Sequence, residues 1–249
     1  MPTVRINCDG GLGNRFGAVI GGLRAAWALG FDPVLHWLRN ENCGARLEDL
    51  FSGIPARMDD SPPDTSWPLV THYPWEGRTN LPSSAWRDMT GDFEYNHSHW
   101  EGSGSDVLSH FTVQPEIQAH VDAFIKEHGV DRSWTGIHVR GTDNRHGGAL
   151  EKAWKTVRQG GKVFLCSDDR DVEAQFAGHV LLHPKTAWVE KRIPGADWRI
   201  PPTDGTDCHC YNVVRSREAT IQALQDALIL ARTTFSCPGS TFCKLAQAL

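Results

Sequence analysis

Gly136-Ile137-His138-Val139-Arg140-Gly141-Thr142-Asp143 is a short apolar run that ends in basic and acidic residues at a turn. The pattern returns downstream. Val163-Phe164-Leu165-Cys166 runs into Ser167-Asp168-Asp169, and Thr234-Phe235-Ser236-Cys237 runs into Pro238-Gly239-Ser240-Thr241. Helical patterns lie between these runs, so the carboxy-terminal half reads as alternating strands and helices. Such alternation builds a parallel α/β sheet. In an open parallel sheet, ligands bind outside the carboxyl ends of the strands. Strand ends bearing Arg140, Asp168-Asp169 and Ser240-Thr241 therefore outline a pocket for an anionic ligand.

The amino-terminal end carries a related unit. Val4-Arg5-Ile6-Asn7-Cys8 reads as a strand and opens into Asp9-Gly10-Gly11-Leu12-Gly13-Asn14-Arg15. A helix follows over Phe16–Leu29, with Phe16, Val19, Ile20, Leu23, Ala26 and Trp27 on one face. Gly30 suits its C-cap, and the next strand spans Asp32–Trp37. The glycine loop has two readings. It is a backbone cradle for an anion at a helix start, or a tight structural turn. It is neither the GxGxxG fingerprint nor a P-loop, which would end in Lys-Ser/Thr. Asn14 and Arg15 favour the ligand reading, since a turn alone does not need them.

From Pro55 to Gly104 the periodicity fades into prolines, serines and aspartates. Long loops with short helices are expected there, with Trp67, Trp75, Trp86 and Trp100 seeking burial. Pro115–His128 is a helix closed by Gly129. The domain boundary is placed near Val130, giving one domain over 1–130 and a second over 131–249. Beyond it, helices are expected over Leu150–Arg158, Asp171–Phe176 and Thr241–Ala248, with a strand over His179–Leu182. Pro184–Cys210 reads as loop. Ser216 N-caps a helix whose apolar stripe is Ile221, Leu224, Leu228 and Ala231, with Asp226 off that stripe.

The chain has 249 residues, 40% of them hydrophobic and 22% charged, which is ordinary for a globular protein. A net charge of −5 argues against a general nucleic-acid binder. No run of apolar residues is long enough to span a membrane. The first residues pass straight into a strand without a leader pattern, so a cytoplasmic location is expected. The seven cysteines are odd in number and show no CxxC, so most read as buried free thiols. Cys208-His209-Cys210 has the wrong spacing for a zinc knuckle and reads as loop.

Arg140 suits a diphosphate because its guanidinium is charged, planar and multidentate. A structural pair with Asp143 is the competing reading. His138, flanked by apolar residues, reads by itself as a satisfied core histidine. Asp168-Asp169 resembles the acidic pair with which metal-dependent sugar transferases hold Mn²⁺. Hard cations take several oxygens, however, and no second acidic cluster lies at a comparable strand end. A helix N-terminus and Arg140 can neutralise a diphosphate instead, so no metal is expected.

Taken in order, Gly11-Leu12-Gly13-Asn14-Arg15-Phe16, His138-Val139-Arg140-Gly141-Thr142-Asp143, Phe164-Leu165-Cys166-Ser167-Asp168-Asp169 and Arg215-Ser216 … Asp226 … Pro238-Gly239-Ser240-Thr241-Phe242 resemble the α-1,2/α-1,6/protein O-fucosyltransferase superfamily. The bacterial NodZ-like proteins are the most similar branch. The resemblance implies a GT-B fold, in which two Rossmann-like domains with parallel sheets face each other across a cleft. It implies an inverting, metal-independent transfer from a GDP-sugar, above all GDP-fucose, to a glycan or glycoside hydroxyl, with no cofactor. Arg140 would neutralise the diphosphate. His138 and Asp226 would approach the guanine, and Ser240, Thr241 and Phe242 would hold phosphates. Asp168 and Asp169 would support the donor sugar or order Arg140, while Asn14 and Arg15 would sit near the diphosphate. Asp143, His146 and Glu151 are candidates for the general base. Many relatives carry a second arginine where this chain has Gly141. The alternatives are another nucleotide-sugar donor, or a nucleotide- or carbohydrate-binding protein without turnover.

Overall fold

The computed structural model describes residues 1–61, 69–72, 93–97, 103–142, 149–200, 210–235 and 240–249. Trp67, Trp75, Trp86 and Trp100 lie outside them, as do Asp143 and His146. The chain divides into two compact units. One comprises Met1–Arg39, Arg46–Gln114 and Gly239–Leu249, and the other Asn40–Ala45 and Pro115–Pro238.

The first unit holds strands β1 (Thr3–Asn7), β2 (Asp32–His36), β3 (Phe51–Ser52), β4 (Arg57–Met58), β5 (Leu69–His72), β6 (Phe93–His97) and β7 (Thr112–Val113). Its helices are α1 (Leu12–Leu29), α2 (Ser105–Leu108) and the terminal α7 (Thr241–Ala248). Five strands form a parallel sheet in the order β4-β2-β1-β6-β5. β3 and β7 form a separate antiparallel pair. Helix α1 begins at Leu12, earlier than the Phe16 start expected from the apolar stripe. Gly13, Asn14 and Arg15 thus belong to its first turn, and the tight turn proper is Gly10-Gly11, with Gly10 at φ +79°. Phe16, Val19, Ile20, Leu23 and Ala26 are buried as the stripe requires, whereas Trp27 stays 39% exposed. Each large apolar side chain so buried contributes about 1.5–3 kcal/mol. Phe16 meets Trp37 and Phe51 edge-on, with centroids 5.4 and 5.2 Å apart.

The second unit holds α3 (Pro115–His128), β8 (Thr135–Val139), α4 (Ala149–Arg158), β9 (Val163–Ser167), α5 (Arg170–Phe176), β10 (Leu181–Leu182), β11 (Arg199–Ile200), β12 (Cys210–Tyr211), α6 (Arg217–Leu230) and β13 (Thr234–Phe235). Four strands form a second parallel sheet in the order β10-β9-β8-β13. Val139, Leu165, Ala153, Val172 and Phe176 make its core on one side, with Trp154 stacked on Phe176 at 4.3 Å. β11 and β12 pair antiparallel inside the stretch expected to be loop. Two-residue strands carry too little alternation to be read from sequence. Ser216 caps α6 by accepting the Ala219 N–H at 3.1 Å.

The second unit takes up the chain again at Pro115. Helix α7 packs with α1 in the first unit although it closes the chain. The packing is close: a Cβ on Gly13 would stand 2.6 Å from the Thr241 carbonyl carbon. Cys8, Cys43 and Cys166 are free and buried, but Cys243 is disulfide-bonded. Pairing of cysteines depends on the tertiary path and is not readable from their count. Among the described residues, no helix is long and apolar enough to cross a membrane.

Candidate active site

The carboxyl ends of β8, β9 and β10 lie side by side in the second unit, because these strands are parallel neighbours. Register places His138 opposite Cys166 and Val139 opposite Ser167. The turn residues beyond the three strands are therefore gathered on one edge: Arg140 to Thr142 after β8, Asp168-Asp169 after β9, and His183 to Lys185 after β10.

Asp168 serves the turn beyond Arg140. Its Oδ1 accepts the Gly141 N–H at 2.7 Å and its Oδ2 the Thr142 hydroxyl at 2.5 Å. Asp169 caps α5, accepting the Asp171 N–H at 2.9 Å, and is itself buried. Gly141 is dictated by this packing. A Cβ there would lie 2.2 Å from the Asp169 Cβ and 2.9 Å from Val172 Cγ2. No larger side chain, an arginine included, fits without moving the start of α5. Gly141→Ala should cost about 1–3 kcal/mol of stability, the usual penalty for overpacking. Urea midpoints would measure it, and an unchanged midpoint would contradict the tight contact.

His138 is half-buried. Burial is the main cause that lowers its pKa to about 4, with Arg140 and Lys185 acting in the same direction against Asp168 and Asp226. It is neutral at pH 7 and can offer one ring N–H and one bare nitrogen. Cys166, next to it in register, has its thiol pushed up chiefly by burial and stays protonated.

Behind this edge lies a cluster of buried charges. Helix α6 is buried almost all round, which carries Asp226 to 3% exposure. Lys185 Nζ stands 2.6 Å from Asp226 Oδ2, 2.5 Å from Glu173 Oε1 and 2.8 Å from the Ser167 carbonyl. An ammonium has three N–H donors, and these acceptors use all of them. Asp226 Oδ1 lies 3.0 Å from His183 Nδ1, and His183 Nε2 lies 2.9 Å from His120 Nε2. Burial lowers the Lys185 pKa, but Asp226 and Glu173 together outweigh it and push it up. For Glu173 burial wins over Lys185, and its carboxyl is raised.

A small, open pocket lies beside this cluster. Ser167, Asp168, Lys185 and Asp226 line its polar side, and Ala187, Trp188, Val189, Ala219 and Ala223 its apolar side. A slot with apolar walls and a few convergent polar groups is the usual form of a small-molecule site.

The geometry sorts the residues singled out from sequence into two groups. His138, Arg140, Asp168, Asp169 and Asp226 meet in the second unit. Asn14, Arg15, Ser240, Thr241 and Phe242 belong to the first. There Thr241 donates its hydroxyl to Asn14 Oδ1 at 2.9 Å, and Ser240 caps α7. Arg15, expected near the diphosphate, turns inward. It is fully buried, donating to the Gly10 carbonyl at 2.8 Å and the Leu38 carbonyl at 2.7 Å, with its guanidinium over Trp37. It locks the glycine turn to the end of β2. Glu151 is exposed in the first turn of α4. Glu173, His183, Lys185 and His120 were not singled out. His183 and Lys185 come just after the expected His179–Leu182 strand, so the strand-end rule applied to β10 would have found both.

Across the whole chain, the same architecture occurs in α-1,6-fucosyltransferase NodZ co-crystallised with GDP. That match has a TM-score of 0.62 and 19% identity, and covers 99% of this chain and 91% of that one. This chain has the NodZ fold. NodZ from Bradyrhizobium aligns with a TM-score of 0.60 and 20% identity over 98% of this chain and 91% of its own. POFUT1 in complex with GDP-fucose aligns more loosely, at a TM-score of 0.50 and 12% identity over 99% and 94%. No protein-family model and no curated protein matches the sequence. At such identity NodZ and this chain share their path, while the roles of the strand-end side chains rest on this chain's own geometry.

Proposed function

We propose that the chain is a fucosyltransferase-like glycosyltransferase. It takes a GDP-sugar, above all GDP-fucose, and transfers the sugar to a glycan or glycoside hydroxyl with inversion and without a metal. The observation that carries this reading is the strand-edge pocket of the second unit, lined by Asp168 and Asp226, with His138 in electrostatic reach of both carboxylates and of Arg140. The NodZ fold supports it, since structures of NodZ hold GDP and were soaked with GDP-fucose.

In this mechanism the base enters the slot and donates to the Asp226 carboxylate, while the neutral His138 approaches its other edge. Arg140 contacts the diphosphate. As the anomeric C–O bond breaks, negative charge grows on the β-phosphate. Arg140 stabilises that charge more in the transition state than in the ground state, which is what accelerates the reaction. The acceptor oxygen attacks from the opposite face and passes its proton to a base among Asp143, His146 and Glu151.

Calorimetry with GDP, UDP and ADP tests the base assignment, and fucose transfer from GDP-fucose in excess EDTA tests the metal. GDP is expected to bind at least about tenfold tighter than the other two, a difference of about 1.4 kcal/mol. Transfer should persist in EDTA. Failure of GDP to bind sinks the reading. GDP binding with no transfer to any acceptor favours a binding protein instead.

A further inference from the structure

Resting on the reading above, we infer that His183 and Lys185 are positioning residues for Asp226, and that His120 holds His183 in the tautomer this requires. A carboxylate has two oxygens with about two acceptor directions each. In this site one direction on each oxygen is taken from within the protein. Lys185 donates to Oδ2 at 2.6 Å and His183 faces Oδ1 at 3.0 Å. The carboxylate is thereby held by both corners, and its remaining acceptor directions are presented as a fixed pair beside the pocket it lines. Such a pair suits a ligand edge with two parallel N–H donors, as guanine has at N1 and N2. It discriminates against an edge with a single donor, because one buried acceptor is then left unmet.

The tautomer is set by the contacts. For Oδ1 to be bonded, His183 Nδ1 must carry the proton. A neutral His183 then has a bare Nε2, which needs a donor, and His120 Nε2 at 2.9 Å supplies it. Without His120 the proton can move to Nε2 and leave Nδ1 facing a carboxylate oxygen as two acceptors. Lys185 gives no donor to the ligand, since its three N–H groups are met by Glu173, Asp226 and Ser167. Both residues therefore act through Asp226.

The test compares GDP with IDP, which lacks the N2 amino group, by calorimetry on wild type, His183→Leu, His183→Asn and His120→Phe. Wild type should prefer GDP at least about tenfold. His183→Leu should bring the preference to within about twofold, and His120→Phe should reduce it in part. Asparagine places an N–H donor near the position of Nδ1, so His183→Asn should restore the preference. A merely structural role would lower the melting temperature without touching the GDP-to-IDP ratio. Should His183→Leu fail to fold, the His120→Phe and His183→Asn pair still decides. A folded His183→Leu or His120→Phe variant that keeps the wild-type ratio would overturn the inference, as would a His183→Asn variant that loses it or a wild type that binds GDP and IDP equally. A wild type that binds no GDP overturns the parent reading and this one together.

Discussion

Lys185→Met is expected to lower stability by about 3–5 kcal/mol, the cost of breaking a buried ion pair by removing one partner. Lys185, Glu173 and Asp226 are each no more than 6% exposed at the side chain, so water cannot replace the lost ammonium. Two carboxylates would remain around an empty corner. For a chain of this size the loss corresponds to a melting temperature lower by roughly 10 °C. The deficit should also depend on pH. Burial already raises the Glu173 pKa, and Lys185 is the leading influence that opposes it. In the variant that opposition is gone, so the folded state takes up the Glu173 proton at higher pH than the unfolded chain does. A group raised in the folded state contributes stability below its unfolded pKa and loses it as pH climbs through the folded value. The gap between variant and wild type should therefore narrow from pH 8 to pH 5. Urea denaturation at the two pH values measures it. A gap under about 1 kcal/mol, or one that widens toward pH 5, would contradict the charge cluster.

Arg140→Ala should reduce kcat for transfer from GDP-fucose on the order of 10²–10³, the effect of removing one donor aimed at developing charge. Arg140 directly follows β8 and lies within the electrostatic reach of His138. Its guanidinium serves best where charge grows, so kcat should fall more than GDP affinity. Arg140→Lys keeps the charge but not the planar fork and should recover only part of the rate. Steady-state kinetics beside calorimetry separate the two quantities. A variant retaining more than about a tenth of wild-type turnover removes Arg140 from this role.

These two residues differ in how the chain announces them. Arg140 is visible in the sequence because a strand-like run stops and a charged turn begins, which is a local pattern. Lys185 carries the same kind of signal after β10, but its importance lies in Glu173, 12 residues before it, and in Asp226 on a later helix. Gly141 illustrates the limit from the other side. Read alone it is a missing arginine. In three dimensions it is the contact that lets the β8 turn rest on the start of α5.

Arg15 shows how residue type can mislead. An arginine after a glycine loop at a helix start matches anion binding, and nothing local says otherwise. Its burial is set by Trp37 and the Leu38 carbonyl at the end of β2, 23 residues away in sequence. An ammonium or guanidinium can be turned outward to a ligand or inward to carbonyl groups, and only the surrounding packing chooses.

Periodicity, caps and strand ends were enough to establish parallel α/β architecture, the glycine-turn unit and the strand edge carrying Arg140 and Asp168, because each is written in neighbouring residues. Folding alone assigned α7 to the first unit, through contacts such as Thr241 to Asn14 across 227 residues. It alone assembled the Lys185–Asp226–His183 cluster. Those partners are joined by the crossing of a sheet edge with a buried helix, and no spacing in a linear chain encodes that crossing.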